Sequence, residues 1–259
     1  MLAGKRNKFV FCAAFKIGFE VTEFLIKKGH RIEFIVTSDK DDSEFEKKIW
    51  KLCAQNKIEC LRKRDVNSKE IIKMFSEKKI DLVFLAWWPT IIIKEAIESV
   101  KIGWLNMHPS LLPFNRGKHP YYWSIIEGTP FGVTIHFIDK FIDSGRIAFQ
   151  KEIFVDVTDT GESLYKKSLK EIMNLFKDNV NNIFNINIPT IQQDWKKATF
   201  HLAKELDSHS MIRLEENYKA KDLINILRGR SFTNGDSAFF YLNNHKYLIK
   251  VKIEKSKNK

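Results

Sequence analysis

The chain has 259 residues, which exceeds the usual domain of about 100–150 and indicates one main domain with a smaller appendage. Hydrophobic residues make up 44% of it, enough for a sizeable core, and no apolar run is long enough to span a membrane. The three cysteines lack close Cys-x-x-Cys spacing and indicate neither a disulfide framework nor a zinc site, and no signal-peptide pattern is present, so we expect a cytoplasmic protein.

The formal net charge of +12 does not by itself select a partner. Lysine dominates the basic residues and is spread through helices, where a solvated face is the default interpretation. A basic surface attracts nucleotide diphosphates and other small anions as readily as nucleic acid.

Apolar strand patterns alternate with amphipathic helix patterns from the start of the chain. The predicted strands are Lys8–Ala14, Ile32–Thr37, Ile58–Leu61, Asp81–Ala86, Ile102–Leu105, Gly132–Ile138 and Ile147–Val155. The predicted helices are Gly18–Lys28, Ser43–Gln55, Ser68–Lys78, Pro89–Ser99, Pro120–Glu127 and Gly161–Phe184. This alternation predicts an α/β fold, a Rossmann-like and mostly parallel sheet with flanking helices. The first loop lacks the glycine pattern that cradles a dinucleotide pyrophosphate, which argues against bound NAD.

The organisation changes towards the C-terminus. Asn217–Arg228 is predicted to form a helix, and Ser237–Leu242 and His245–Ile253 are predicted to pair as a β-hairpin. Because a lone hairpin is barely stable in water, it must pack on the main domain or on a second subunit. We therefore divide the chain into a main domain, residues 1–190, and a short C-terminal helix and β-hairpin segment, residues 191–259.

Three polar side chains that follow short apolar strands carry the predicted chemistry. Asn106 and His108 come at the end of the strand Ile102–Leu105, and Asp143 lies in the loop Ile142–Gly145. Side chains two residues apart on a strand point the same way, here towards the edge of the sheet where ligands gather. An amide that steadies an oxyanion, an imidazole that moves a proton and a carboxylate that orients the imidazole suit acyl transfer to an amine, with no metal required.

Each of these residues also has a structural interpretation. A lone histidine on an apolar strand is more often structural than catalytic, and Asp143 could simply stabilise its own turn. Asp139 is the runner-up carboxylate. His136 lies in an alternating strand, so we expect it to pack or to bond to the backbone.

Two segments resemble the folate-dependent formyltransferases in order and spacing: N-M-H-P-S-L-L-P-F-N-R-G and G-V-T-I-H-F-I-D-K-F-I-D-S-G. The resemblance runs from about Lys8 to about Glu152. It implies a Rossmann-like catalytic domain and 10-formyltetrahydrofolate as the formyl donor. It also implies that Asn106, His108 and Asp143 form the catalytic trio.

The same resemblance suggests the cofactor side of the site. Relatives place their pterin pocket where Trp87 and Trp88 end a strand, and an aromatic wall suits a flat ring with amide-like edges. We assign Trp87, Trp88 and Asp139 to cofactor binding. The alternative is that one tryptophan belongs to the core.

The acceptor side is suggested by a second pattern. The run R-G-K-H-P-Y-Y-W, which begins at Arg116, resembles the R-G-x-H-P-x-x-W pattern of sugar N-formyltransferases. On this resemblance, we expect Arg116, Lys118 and Tyr122 to bind the acceptor. We also expect Lys16, in the first loop, to contact a phosphate of the acceptor. A solvated Lys16 and a packing role for Tyr122 are the alternatives.

Three functions compete: a sugar N-formyltransferase, a methionyl-tRNA or glycinamide ribonucleotide formyltransferase, and a non-catalytic binding protein of the same fold. Purine-pathway relatives usually lack the terminal hairpin, a barrel that grips tRNA would need more strands, and the intact trio disfavours a non-catalytic role. We predict formyl transfer to a nucleotide-linked, dTDP-type amino-dideoxyhexose for surface polysaccharide or O-antigen synthesis. The expected enzyme is a homodimer with no stable nucleic-acid partner and no membrane insertion.

Overall fold

The computed structural model describes residues 7–235 and 237–256, which form alternating strands and helices. The strands are β1 (Phe9–Ala13), β2 (Phe34–Ser38), β3 (Cys60–Arg64), β4 (Leu82–Ala86), β5 (Gly103–His108), β6 (Arg116–Gly117), β7 (Gly132–Phe137), β8 (Ile147–Glu152), β9 (Phe200–His201), β10 (Ala238–Leu242) and β11 (His245–Ile249). The helices are α1 (Phe15–Lys27), α2 (Glu44–Gln55), α3 (Lys69–Lys78), α4 (Lys94–Glu98), α5 (Pro120–Glu127), α6 (Gly161–Phe184), α7 (Glu205–Ser210) and α8 (Ala220–Gly229).

A seven-stranded sheet of order β3-β2-β1-β4-β5-β7-β8 organises the fold. The strand pairs β2–β3, β1–β2, β1–β4 and β4–β5 are parallel. Every residue of β1, β2 and β4 is buried, which is why these strands are near-continuous apolar runs. The predicted α/β fold with a mostly parallel sheet is confirmed.

Aromatic side chains fill the core beside β1 and β4. The ring of Phe176 on α6 lies 4.9 Å from the ring of Phe84 and 6.5 Å from that of Phe11, measured between centroids. Phe184 stacks on Phe11 at 5.9 Å. Burying rings of this size supplies much of the apolar surface that stabilises the sheet.

Several element boundaries differ from prediction, among them those of two elements, α4 and β5. The predicted helix from Pro89 to Ser99 begins only at Lys94. The Asn67 side chain accepts from the backbone N–H of Ile93 and donates to the carbonyl of Ile91, so this stretch is held outside the helix. The second difference is that β5 continues to His108, two residues beyond its last pair with β4, which joins Leu85 to Asn106.

The chain folds into two compact units that do not follow chain order. One comprises residues 1–108, 135–149 and 172–192, and the other comprises residues 109–134, 150–171 and 193–259. The predicted division near residue 190 stays a prediction. In the part of the chain that the structure describes, no helix is both long and apolar enough to cross a membrane.

The predicted C-terminal hairpin is present in the second unit. β10 and β11 pair antiparallel around Asn243 and Asn244, which both have positive φ, as a tight two-residue turn requires. The base of the hairpin packs on α8, where Ala238 and Ile226 are buried together. Helix α7 was not predicted.

Candidate active site

Four side chains of the first unit meet at the ends of β5 and β7. Asn106 and His108 lie within the last three residues of β5 rather than beyond the end of the strand, which corrects the prediction. His136 is the penultimate residue of β7, and Asp143 lies in the loop that follows this strand. His108 and His136 are almost completely buried.

The Asp143 carboxylate lies between the two imidazoles. Its Oδ2 is 3.5 Å from Nδ1 of His108, and its Oδ1 is 3.5 Å from Nε2 of His136. Nε2 of His136 is also 3.2 Å from Nδ2 of Asn106. The two imidazole rings are perpendicular, with centroids 6.1 Å apart. An amide, two imidazoles and a carboxylate are thus brought together, with both imidazoles buried.

The loop that carries Asp143 is tied together by its own polar groups. Asp139 accepts from the backbone N–H of Phe141 at 3.1 Å and from the Ser144 hydroxyl. Ser144 also donates to the carbonyl of Phe141 at 3.0 Å. Asp143 has a φ of 50°, in the left-handed region that aspartate tolerates better than most residues. Asp139 therefore shapes the loop that presents Asp143 to the imidazoles.

His136 is the functional candidate that the sequence interpretation undervalued. Its Nδ1 lies 2.8 Å from the carbonyl oxygen of Phe137, so the expected backbone bond is present. The contacts with Asn106 and Asp143 were not expected. A usable signal existed, because polar residues near the ends of neighbouring strands meet at one edge of a sheet.

The two tryptophans follow β4, the neighbour of β5. Trp88 is half-buried, packs partly against the core, and donates its indole N–H to the Thr90 hydroxyl at 2.9 Å. Trp87 is also half-buried and has a φ of 63°. Leu85 of β4 pairs with Asn106 of β5. Trp87 comes two residues after Leu85, as His108 comes two residues after Asn106, so Trp87 follows the end of β4 that is adjacent to His108.

Lys16 lies elsewhere in the same unit, at the start of α1. Its side chain is 62% exposed and pairs with Glu20 one turn on, at 3.7 Å. This exposed position agrees with the alternative interpretation, in which Lys16 is a solvated surface lysine.

Arg116 and Lys118 belong to the second unit. β6 pairs in parallel with β9, and the Arg116 guanidinium lies 4.7 Å from the ring centroid of Trp195. The Arg116 backbone N–H donates to the carbonyl of Thr199 at 3.0 Å, and that of Lys118 donates to the carbonyl of His201. Arg116 is thus held in place, while Lys118 is exposed.

Tyr122 is a core residue of the second unit, as the packing alternative anticipated. It is fully buried, and its hydroxyl lies 2.7 Å from Nδ1 of His209. Burial raises the pKa of Tyr122 well above its ordinary value and lowers the pKa of His209. The neighbouring Trp123 stacks on His201 at 3.9 Å.

Within residues 7–235 and 237–256, no group of three or more histidine, cysteine, aspartate or glutamate side chains could hold a metal ion. The four-residue cluster at the end of the sheet brings together an amide, which can donate to an oxyanion, with imidazoles, which can move a proton, and a carboxylate, which can stabilise a charged imidazole.

The chain belongs to the formyl transferase family. The family description "Formyl transferase" matches residues 19–180, and "N-formyltransferase dimerization C-terminal domain" matches residues 205–255. The resemblance stated from the sequence motifs is therefore confirmed.

Two curated relatives show how far this similarity extends. The chain is 29% identical over 247 residues to the bifunctional polymyxin resistance protein ArnA of Wigglesworthia glossinidia brevipalpis, covering 93% of this chain and 37% of that protein. It is 28% identical to the methionyl-tRNA formyltransferase of Thermotoga maritima, covering 74% of this chain and 64% of that protein. The chain thus spans less than two thirds of either relative.

Solved structures share the fold. A sugar N-formyltransferase from Shewanella superposes with a TM-score of 0.82 at 23% identity, covering 97% of this chain and 99% of that one. The N-formyltransferase from Helicobacter canadensis, solved with folinic acid and dTDP-3-aminofucose, has a TM-score of 0.71 at 19% identity and covers 92% of this chain and 85% of that one.

Proposed function

We propose that the protein transfers a formyl group from 10-formyltetrahydrofolate to the amine of a nucleotide-linked amino sugar. The observation that carries this proposal is the cluster of Asn106, His108, His136 and Asp143 in a chain of the formyl transferase family. Its amide, the imidazole of His108 and its carboxylate each have a task in moving an acyl group to an amine.

The proposed chemistry follows from the positions of these side chains. The bound donor supplies the formyl carbon that the neutral sugar amine attacks. Asn106 donates an amide N–H to the oxygen of that carbon as negative charge develops there. His108 takes up the amine proton, and the Asp143 carboxylate, 3.5 Å from its Nδ1, stabilises the positive charge on the imidazole. When the oxyanion collapses, the bond between the formyl carbon and the donor nitrogen breaks and that nitrogen receives the proton from His108, so that tetrahydrofolate leaves and the sugar carries the new amide.

The residues near the cluster fit a folate donor. The half-buried Trp87 and Trp88 follow β4, and Phe141 and Ile142 on the Asp143 loop are 60% and 38% exposed. These apolar surfaces suit the faces of a pterin ring. We propose that Trp87 and Trp88 contact the pterin ring. We propose that Asp139 contributes to cofactor binding by shaping the loop that carries Phe141 and Ile142.

For the acceptor, we propose that Arg116 and Lys118 bind the diphosphate of a dTDP-type sugar. A guanidinium is suited to phosphate recognition, and stacking on Trp195 restricts the movement of Arg116. Lys16 remains a proposed phosphate contact. We do not extend the set to Tyr122, because its hydroxyl is occupied by His209.

Support for a sugar acceptor comes from the extent of the structural matches. The Shewanella sugar enzyme covers 97% of this chain, whereas the glycinamide ribonucleotide transformylase of Symbiobacterium toebii covers 73% of it. A methionyl-tRNA formyltransferase from Clostridium thermocellum covers 96%, with a lower TM-score of 0.63. Formylation of tRNA is therefore the second candidate function.

We further propose a homodimer in which the hairpin takes part. The dimerization description matches residues 205–255. Tyr241, Leu242, Tyr247 and Leu248 on the hairpin are about half exposed, as expected of apolar side chains that a second copy covers. A cytoplasmic location and a role in surface polysaccharide or O-antigen synthesis stay predictions.

The test is to incubate the purified protein with 10-formyltetrahydrofolate and a panel of acceptors, and to follow product mass. The panel holds dTDP- and UDP-linked amino sugars, glycinamide ribonucleotide and initiator methionyl-tRNA. We expect one formyl group to be added to a sugar. Formylation of tRNA or ribonucleotide alone would overturn the sugar proposal, and no transfer to any acceptor would contradict catalysis on these substrates.

A further inference from the structure

His136 contacts two of the three side chains to which the proposed reaction assigns a task, and its ring lies beside the third. Its Nε2 is 3.2 Å from Nδ2 of Asn106 and 3.5 Å from Oδ1 of Asp143. Its ring centroid is 6.1 Å from that of His108. Because its side chain is only 2% exposed, it is poorly placed to exchange protons with bulk solvent.

The hydrogen bond on the other side of the ring determines what Nε2 can do. Nδ1 lies 2.8 Å from the carbonyl oxygen of Phe137, which can only accept, so Nδ1 carries a hydrogen. In the neutral ring Nε2 then holds a lone pair and can only accept. The nearest donor is the Asn106 amide nitrogen.

Asn106 can serve an oxyanion only if its nitrogen, and not its oxygen, faces that oxyanion. Rotation of the amide by half a turn exchanges the two atoms, and their similar shape gives no steric preference. A lone pair on Nε2 attracts an N–H and repels a carbonyl oxygen. The side chain of His136 therefore selects one of the two orientations.

We infer that His136 is a positioning residue, which accepts a hydrogen bond from Asn106 and thereby turns the amide so that its second N–H faces the formyl oxygen. This inference rests on the proposed function. Nε2 of His136 lies closer to Nδ2 of Asn106, at 3.2 Å, than to Oδ1 of Asp143, at 3.5 Å. In this arrangement His136 bonds to Asn106, and Asp143 is available to His108. One carboxylate then stabilises the one imidazole that becomes charged.

The kinetic test compares two substitutions of His136. His136→Met removes the acceptor at similar volume, and His136→Gln can return a carbonyl oxygen near the place of Nε2. We expect H136M to lower kcat by about 10-fold to 100-fold, since loss of a complete oxyanion donor costs about 100-fold to 1,000-fold. KM for both substrates should change less than twofold, and H136Q should recover most of kcat. Met in place of His30, which stacks on Phe184 away from these contacts, is the matched control.

A double-mutant cycle separates positioning from packing. If His136 acts through Asn106, the N106A and N106A/H136M enzymes should have the same kcat within twofold. Losses that multiply, or a kcat that Gln does not recover, would overturn the inference in favour of a packing role.

A spectroscopic test needs no acceptor and no turnover. In protein with ¹⁵N-labelled histidine rings, we expect His136 to show a protonated Nδ1 and an unprotonated Nε2, assigned by the signals that vanish in H136Q. Asn106→Ala should shift the Nε2 signal. A ring protonated at Nε2 would refute the inference even if H136M fails to fold. If no acceptor in the panel is formylated, the proposed function fails, while this measurement still decides the role of His136.

Discussion

Replacing Asp143 with Asn tests whether the carboxylate stabilises charge on His108. The change keeps the shape of the side chain and removes one negative charge 3.5 Å from Nδ1 of His108. At that distance and an effective dielectric constant of about 20, the interaction with a full positive charge is about 5 kcal/mol. In a transition state that carries half of that charge, it is about 2.5 kcal/mol. We therefore expect kcat to fall between about 50-fold and about 3,000-fold.

The assay is steady-state formyl transfer with the acceptor that the panel identifies, with kcat and KM measured for both substrates. KM should change little, because the charge develops after binding. The control is Asp42→Asn, which removes an exposed carboxylate paired with Lys63 and should leave kcat unchanged. A D143N enzyme with kcat within threefold of wild type would refute the electrostatic argument.

Three further predictions concern the same loop and the second unit. Asn106→Ala should lower kcat about 100-fold or more with little change in KM, and unchanged turnover would remove its role as oxyanion donor. Gly145→Ala places a methyl group against the carbonyl of Phe137, so the loop must shift and kcat should fall about 100-fold; full activity would show that the loop tolerates the shift. Burial first, and then the charge of His201, lower the pKa of His209, so its contribution to stability is complete above pH 6.5 and is lost as the pH falls through the folded-state value. The melting temperature of wild type should therefore drop more steeply below pH 6.5 than that of His209→Gln, and parallel curves would contradict this.

Much of the sheet was predictable because its strands are buried on both faces. β1, β2 and β4 are continuous or near-continuous apolar runs between amphipathic helices, so local sequence is sufficient to locate them. The start of α4 was not predictable in this way. The backbone at Ile91 and Ile93 is bound by Asn67, a residue on a distant segment, and helix propensity cannot report such a bond.

The catalytic candidates were recognisable because a short motif carries them. Asn106 and His108 lie two residues apart on one strand, and an aspartate follows in a loop that ends in glycine. This pattern was sufficient to predict the catalytic trio and the family. The motif favoured Asp143 over Asp139, but it could not show what each does, because both are loop aspartates four residues apart in sequence. Their different roles follow from their partners in the structure. Asp139 accepts from Ser144 within the loop, whereas Asp143 lies beside the imidazoles of His108 and His136.

By itself, the sequence determined the strand and helix pattern, the formyl transferase family and the residue types available for acyl transfer. Only the tertiary structure decided which groups meet. It brought His136 onto Asn106 and Asp143, and it buried Tyr122 against His209. The physical reason is that hydrophobic periodicity reports which face of an element is buried, whereas a hydrogen bond depends on two atoms that approach within about 3 Å from separate segments.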